Sequence, residues 1–128
     1  MYYFEIYKIS LKVINEFNPD DFQSFINESS KLQAVSDLRA TASSDEELIK
    51  DFQDVVTNLM SDGLVRGDVI PTKSGNIFLI EGLTTIGHQF LNNLEQDTFW
   101  NKLKSVAKEE GIPTTPTAIT RTISKLLF

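Results

Sequence analysis

A single histidine and a set of scattered carboxylates are the side chains of this sequence that could do acid–base or metal chemistry. His88 is the only histidine, the 128 residues contain no cysteine, and the six glycines form no phosphate-binding loop. A zinc site needs three or four ligands, but His88 has no second histidine and no carboxylate at helical spacing beside it. Asp51 and Asp54 lack the glycine and the terminal glutamate of a calcium loop. We therefore expect no metal, no cofactor and no catalytic residue, and a structural His88 that bonds a backbone carbonyl; the protein is predicted not to be an enzyme.

Basic side chains are concentrated in the last quarter of the chain. The net charge is −6, yet residues 1–96 have a balance of −8 and residues 97–128 a balance of +2. Contacts to a polyanion would therefore come from the carboxy-terminal part. Five charges on two helices are usually solvated outer faces, and polyanion binding is the alternative to that interpretation. The candidate polyanion contacts are Lys102, Lys104, Lys108, Arg121 and Lys125.

The segment from Asp45 to Asp62 is predicted to be an amphipathic helix with an acidic outer side. Ser44 is the expected N-cap, with Glu47 three residues on, and Gly63 the expected end. The predicted buried stripe is Leu48, Ile49, Phe52, Val55, Val56, Leu59 and Met60. The candidate partner-docking face is Glu47, Lys50, Asp51 and Asp54. Because phosphate groups repel an acidic helix, this face favours a protein partner over DNA.

The first helix, Tyr2 to Phe17, has a narrow polar arc formed by Glu5, Lys8, Lys12, Asn15 and Glu16. Nearly all its other positions are apolar, so most of its circumference should be covered. We expect a central core helix. The alternative is that one flank, which includes Phe4 and Leu11, forms a homodimer interface.

The remaining segments complete the predicted order of elements. Asn18-Pro19 is a helix start signal, and residues 29–44 are expected to be mostly loop with one helical turn. Two strands, Leu64–Ile70 and Ile77–Leu83, are expected on either side of a hairpin loop at residues 71–76.

Three more helices should follow the second strand. Thr84 or Thr85 is the expected cap of the first, which is predicted to be buried through Ile86; Asp97 is the expected cap of the second, and Thr115-Pro116 starts the third. This order predicts an α+β winged-helix-type domain with a two-stranded wing and extra carboxy-terminal helices. We expect a single domain over residues 1–128, with the helical extension at about 97–128.

Several short motifs in the second half resemble a family signature. They are Gly63-Leu64-Val65, Leu83-Thr84, Gly87-His88, Phe90-Leu91, Trp100 and Lys102. Together they resemble the YjcQ-like small winged-helix proteins of bacteria and phages, and a related family known only as a domain of unknown function. The similarity covers residues 55 to about 128, and residues 18–44 depart from it. The resemblance implies a winged-helix fold and a frequent prophage setting, but no catalytic residue.

These observations predict a non-enzymatic protein–protein interaction module, which binds a protein partner or a second copy of itself. The alternative is a DNA-binding transcriptional regulator that uses the carboxy-terminal cations. The amino terminus has no basic leader and no apolar run exceeds four residues. We therefore expect no contact with membranes and a soluble, cytoplasmic protein.

Overall fold

A computed structural model describes residues 2–128. The helices in this part of the chain are α1 (Tyr2–Phe17), α2 (Phe22–Ser29), α3 (Gln33–Thr41), α4 (Asp45–Ser61), α5 (Thr85–Leu94), α6 (Asp97–Glu110) and α7 (Pro116–Leu127). The strands are β1 (Val65–Thr72) and β2 (Gly75–Leu83), which pair antiparallel. The helices and the two-stranded hairpin of residues 2–128 make an α+β fold, as predicted. The order α4, hairpin, α5 is the one that the sequence predicted for a winged-helix-type domain.

Helix α1 lies at the centre of the core. It contacts α2, α4, α5, α7 and β2, and Phe4 and Leu11 are 1% and 0% exposed. The prediction of a central core helix is confirmed. The apolar flank that would have formed a homodimer interface is instead occupied by the chain's own elements, because five elements pack around α1.

The link between α1 and α2 differs from the prediction. Asn18 has a φ of 45°, the left-handed conformation that ends helices. Asp21 is the N-cap of α2 and accepts a hydrogen bond from the Ser24 amide at 2.8 Å. The prediction that Asn18-Pro19 starts a helix was therefore wrong, because asparagine tolerates the left-handed region as readily as it caps a helix.

Residues 29–44 contain more helix than the sequence indicated. Ser29 ends α2, and the nine residues of α3 include the predicted loop residues Ala40 and Thr41. Val35 and Leu38 are buried against the core, whereas Leu32 at the N-cap provides no side-chain hydrogen bond. Tertiary burial of two side chains therefore stabilises a short helix that has weak local signals.

The wing has a shorter loop than predicted. Strand β1 continues through Pro71 and Thr72, so only Lys73 and Ser74 form the turn. Gly75 begins β2 with a φ of 120°, which a side chain would disfavour. The prediction of a loop over 71–76 was wrong because Pro71 is accommodated in an exposed strand end, where a missing amide donor is tolerated.

Two other expectations on burial were wrong. Ile49 and Ile86 are 39% and 49% exposed, although both were predicted to be buried.

The predicted cap of α6 was also wrong, because Gln96 is the N-cap and Asp97 is the first residue of the helix. The helices of residues 2–128 are each too short or too polar to cross a membrane.

Candidate functional site

The exposed side of α4 is acidic, and Ser44 fixes where the helix begins. The Ser44 hydroxyl accepts a hydrogen bond from the Glu47 amide at 3.1 Å, as the sequence predicted. Asp45 is bound by Arg39, whose Nε and Nη2 atoms donate to its two oxygens at 3.0 and 2.9 Å. The remaining exposed charges are the ones a partner would meet. We define the α4 face as Glu46, Glu47, Lys50 and Asp54, with the exposed Ile49 beside them.

Asp51 does not belong to this face. It is 5% exposed, and its carboxylate accepts hydrogen bonds from the Tyr2 hydroxyl at 2.8 Å and the Tyr3 hydroxyl at 3.2 Å. Burial, followed by the hydrogen bond to Asp51, raises the pKa of Tyr2 above its ordinary value. Placing Asp51 on the docking face was therefore wrong.

The helical spacing contained the signal that Asp51 is buried. Asp51 follows the buried Leu48 by three residues and precedes the buried Val55 by four, so it lies on their side of the helix. Glu46, by contrast, lies four residues before Lys50 and eight before Asp54. The same rule places Glu46 on the exposed side, although the predicted face did not include it.

Helix α7 holds the carboxy-terminal end of α4. The Thr120 hydroxyl donates to the Asp62 carboxylate at 2.8 Å, and the buried Tyr7 hydroxyl lies 2.8 Å from the same Thr120 oxygen. Thr117 donates to the Asn58 side chain at 3.2 Å. Asp62 is therefore engaged inside the chain, and the end of α4 near the wing is tied to α1 and α7.

The predicted polyanion contacts fall in different places. Lys102 and Lys108 are exposed on α6, whereas the Lys104 ammonium lies 5.5 Å from the centre of the Trp100 ring. The Lys8 ammonium of α1 lies over the same ring at 4.6 Å. The sequence pattern missed this contribution from α1, because only the fold brings residue 8 to residue 100.

Two further cations line a separate groove. Arg121 and Lys125 of α7 face this groove together with Glu110 of α6, among apolar side chains that include Ile112. Glu110 reduces the positive charge there. The five predicted cations are thus divided between α6, where Lys104 lies beside Trp100, and the α6–α7 groove.

The motif that begins at Leu83 joins the strand end to α5. Thr84 is the N-cap of α5, and its hydroxyl accepts from the Gly87 amide at 3.0 Å and donates to the Gly63 carbonyl at 2.6 Å. A Cβ atom on Gly87 would collide with the Leu64 carbonyl oxygen. Phe90 and Leu91 are 1% and 2% exposed. These residues therefore attach α5 to the start of β1.

The two remaining residues of the motif differ in burial. Trp100 is 8% exposed and packs among the core residues. His88 is exposed on α5, whereas Phe90 and Leu91 are buried. Residues 2–128 contain no group of three or more His, Cys, Asp or Glu side chains placed to hold a metal ion.

Comparison with known proteins identifies the family. The family model described as "Hypothetical protein (DUF2513)" matches residues 23–113. This chain belongs to the DUF2513 family. No curated protein and no solved structure matches the sequence.

The DUF2513 match corrects the extent of the predicted resemblance. It begins at residue 23, so it includes α2 apart from its first residue, and all of α3, although residues 18–44 were expected to depart from the family. It ends at residue 113, before α7. The prediction of a family of unknown function is confirmed.

Proposed function

We propose that this DUF2513 protein is a non-enzymatic protein-interaction module whose α4 face binds a basic protein surface. One observation carries the proposal: the helix next to the wing exposes Glu46, Glu47 and Asp54 around a single Lys50. An acidic helix attracts basic side chains and repels phosphates. Ile49 adds an exposed apolar contact beside these charges.

The proposed partner is a protein segment with lysine or arginine side chains around an apolar centre. Such a segment would pair its cations with Glu46 and Asp54 and place an apolar side chain against Ile49. We propose that residues 1–128 act as one domain, supported by a core cluster to which every helix and both strands contribute. Kinship with YjcQ-like winged-helix proteins and a bacterial or prophage setting belong to the same proposal, supported by the motif from Leu83 to Lys104.

The alternative is a DNA-binding regulator that uses the carboxy-terminal cations. It is favoured by the additional cation Lys8, which joins Lys104 beside Trp100. A regulator of this kind would bind duplex DNA with an affinity that falls steeply as salt rises.

Fluorescence anisotropy with two labelled probes tests these alternatives. The probes are an amphipathic peptide of lysine and leucine and a random-sequence DNA duplex, each titrated at low and near-physiological salt. We expect the peptide to bind and the duplex not to bind. The variant Glu46→Lys/Asp54→Lys should weaken peptide binding about tenfold or more, which corresponds to about 1.4 kcal/mol.

A charge-matched control separates a local site from a general charge effect. Glu109→Lys/Glu110→Lys changes the net charge by the same amount on exposed positions of α6. Peptide affinity should stay within about threefold in this control, a difference of less than about 0.7 kcal/mol. Equal losses in the two variants would contradict the α4 site. Duplex binding that is weakened by Lys102→Ala/Lys104→Ala would support the regulator instead.

A further inference from the structure

The outer face of the β1–β2 hairpin carries an uncovered apolar cluster. Residues directly opposite each other in an antiparallel pair point to the same side of the sheet. Ile70 pairs with Ile77, and Asp68 pairs with Leu79. Ile70, Ile77 and Leu79 are 43%, 49% and 46% exposed. Three adjacent aliphatic side chains are more than the scattered exposure that single residues show on any protein surface.

The opposite side of the hairpin is anchored to the body of the molecule. Phe78 is 3% exposed, and its ring packs against that of Phe22 with centroids 5.0 Å apart. The Ile80 amide donates to the Asp20 carbonyl at 2.9 Å. The outer face is therefore held in place before any partner arrives, which lowers the entropic cost of binding.

Charged residues border this apolar cluster on the side away from the turn. Arg66 and Asp68 are two residues apart on β1, so their side chains lie on the same side of the strand. On β2, Glu81 is next to Gly82, the residue that pairs with Arg66. The ion pairs formed within residues 2–128 are Lys31–Glu28 and Arg39–Asp45. Arg66, Asp68 and Glu81 thus have no ion-pair partner within this part of the chain. We name these three residues together with Ile70, Ile77 and Leu79 the wing face.

The wing face is complementary to itself. Two-fold symmetry brings the same patch of two subunits together, so a residue of one copy meets a different residue of the other. Such an arrangement can place Arg66 of each copy against an acidic side chain of the other copy, and the aliphatic clusters against each other. A uniformly basic or acidic partner would instead meet a like charge on this face.

We propose that two copies of this chain associate through their wing faces. Ile70, Ile77 and Leu79 of the two copies form the apolar centre, and Arg66 pairs across the interface with Asp68 or Glu81. Six side chains per copy are few beside the roughly 20–30 residues a side of a standard interface, so we propose a weak, transient dimer. The inference does not depend on the α4 face, which stays uncovered on both copies.

Sedimentation velocity over a wide range of protein concentration tests the dimer. The wild-type chain should shift from monomer to dimer between about 1 and 200 µM. Ile77→Thr/Leu79→Thr, which places threonines that suit a β-strand at both positions, should raise the dimer dissociation constant at least about tenfold. The control Ile49→Thr/Ile86→Thr removes two isoleucines that are 39% and 49% exposed and lie outside the wing face. It should leave the dimer dissociation constant unchanged.

A charge exchange tests the geometry without altering the apolar centre. Arg66→Glu makes the charges of the wing face wholly acidic, and Asp68→Arg/Glu81→Arg makes them wholly basic. Each variant alone should remain monomeric, and an equimolar mixture should form a heterodimer. A wild type that stays monomeric throughout, or control and wing variants that dimerise alike, would overturn the proposal. Circular dichroism of each variant shows that the fold is retained.

Discussion

At the scale of single residues, the burial of Asp51 explains why an acidic helix is not a uniformly acidic surface. Its carboxylate accepts hydrogen bonds from two tyrosine hydroxyls at the start of α1. Hydrogen bonds to a charged group contribute more than neutral ones, and an unpaired group near the core is costly. Asp51 therefore holds α1 against α4, and Glu46 and Asp54 remain for a partner.

Replacement of Asp51 should destabilise the fold. Asp51→Ala removes the acceptor for both tyrosine hydroxyls, and we expect the free energy of unfolding to fall by about 2–3 kcal/mol. Asp54→Ala is the matched control because Asp54 is exposed three residues further on, and it should change stability by less than about 0.5 kcal/mol. Urea denaturation followed by circular dichroism measures both. Similar effects of the two variants would show that Asp51 is not a structural residue.

Tyr7 should make stability sensitive to alkaline pH. Burial raises the pKa of Tyr7 above its ordinary value. A tyrosine in the unfolded chain loses its proton near pH 10. The contribution of Tyr7 to the free energy of unfolding is therefore fully present below about pH 10 and is lost as pH rises towards the pKa of the folded protein. Tyr7→Phe should lower the free energy of unfolding by about 1 kcal/mol at neutral pH. Above about pH 10, the free energy of unfolding should fall less steeply with pH in the variant than in wild type.

Urea denaturation of wild type and Tyr7→Phe at neutral and alkaline pH checks this difference. Tyr2 and Tyr3, whose pKa values are also raised, are present in both proteins. The variant should therefore keep part of the dependence of the free energy of unfolding on pH. Identical slopes in the two proteins would mean that Tyr7 ionises as easily in the folded as in the unfolded chain.

At the scale of elements, Gly87 is the point where α5 meets the start of β1. A methyl group there collides with the Leu64 carbonyl oxygen, and backbone cannot move aside as a flexible side chain can. Gly87→Ala gains helix propensity of about 1 kcal/mol but overpacks this contact. Since overpacking costs about 1–3 kcal/mol, we expect a net destabilisation of up to about 2 kcal/mol, measured by thermal and urea unfolding.

An exposed position on the same helix provides the control. Gln89→Ala also raises helix propensity but meets no backbone, so its effect should stay within about 0.5 kcal/mol. A Gly87→Ala variant more stable than wild type would show that α5 can move away from Leu64.

Elements with strong local signals could be predicted from the sequence, and elements defined by tertiary contacts could not. Ser44 and Thr84 could be predicted as N-caps of their helices. Each hydroxyl accepts a hydrogen bond from a backbone amide three residues on, which is a local interaction. The helix α3 depends on burial of Val35 and Leu38, which local patterns in a Ser-, Thr- and Ala-rich segment do not reveal. Asn18 is ambiguous because one residue type serves both helix ends.

The same division applies to the candidate site. The acidic character of the α4 face follows from composition. Which residues belong to that face depends on which side of the helix is buried. Asp51 could have been excluded by its spacing from Leu48 and Val55. The position of Lys8 over Trp100 had no local signal, because the two residues are distant in sequence.

At the scale of the whole molecule, the charge distribution separates the two proposed functions. Net charge is −6, and the α4 face concentrates acidic groups on the helix beside the wing. Positive charge is divided between the surroundings of Trp100 and the α6–α7 groove. Long-range fields favour approach of basic surfaces to α4, and they fall off within about 10 Å at 0.1 M salt.

The most direct test of the central claim locates binding on the molecule by NMR. The ¹⁵N-labelled protein is titrated with the lysine–leucine peptide and, separately, with a DNA duplex at low salt. Our account predicts peptide-induced shifts at amides of α4 around Glu46, Lys50 and Asp54, and no shifts with the duplex. Duplex-induced shifts at Lys102, Lys104, Arg121 and Lys125, with α4 unaffected by the peptide, would contradict it and establish the nucleic-acid function instead.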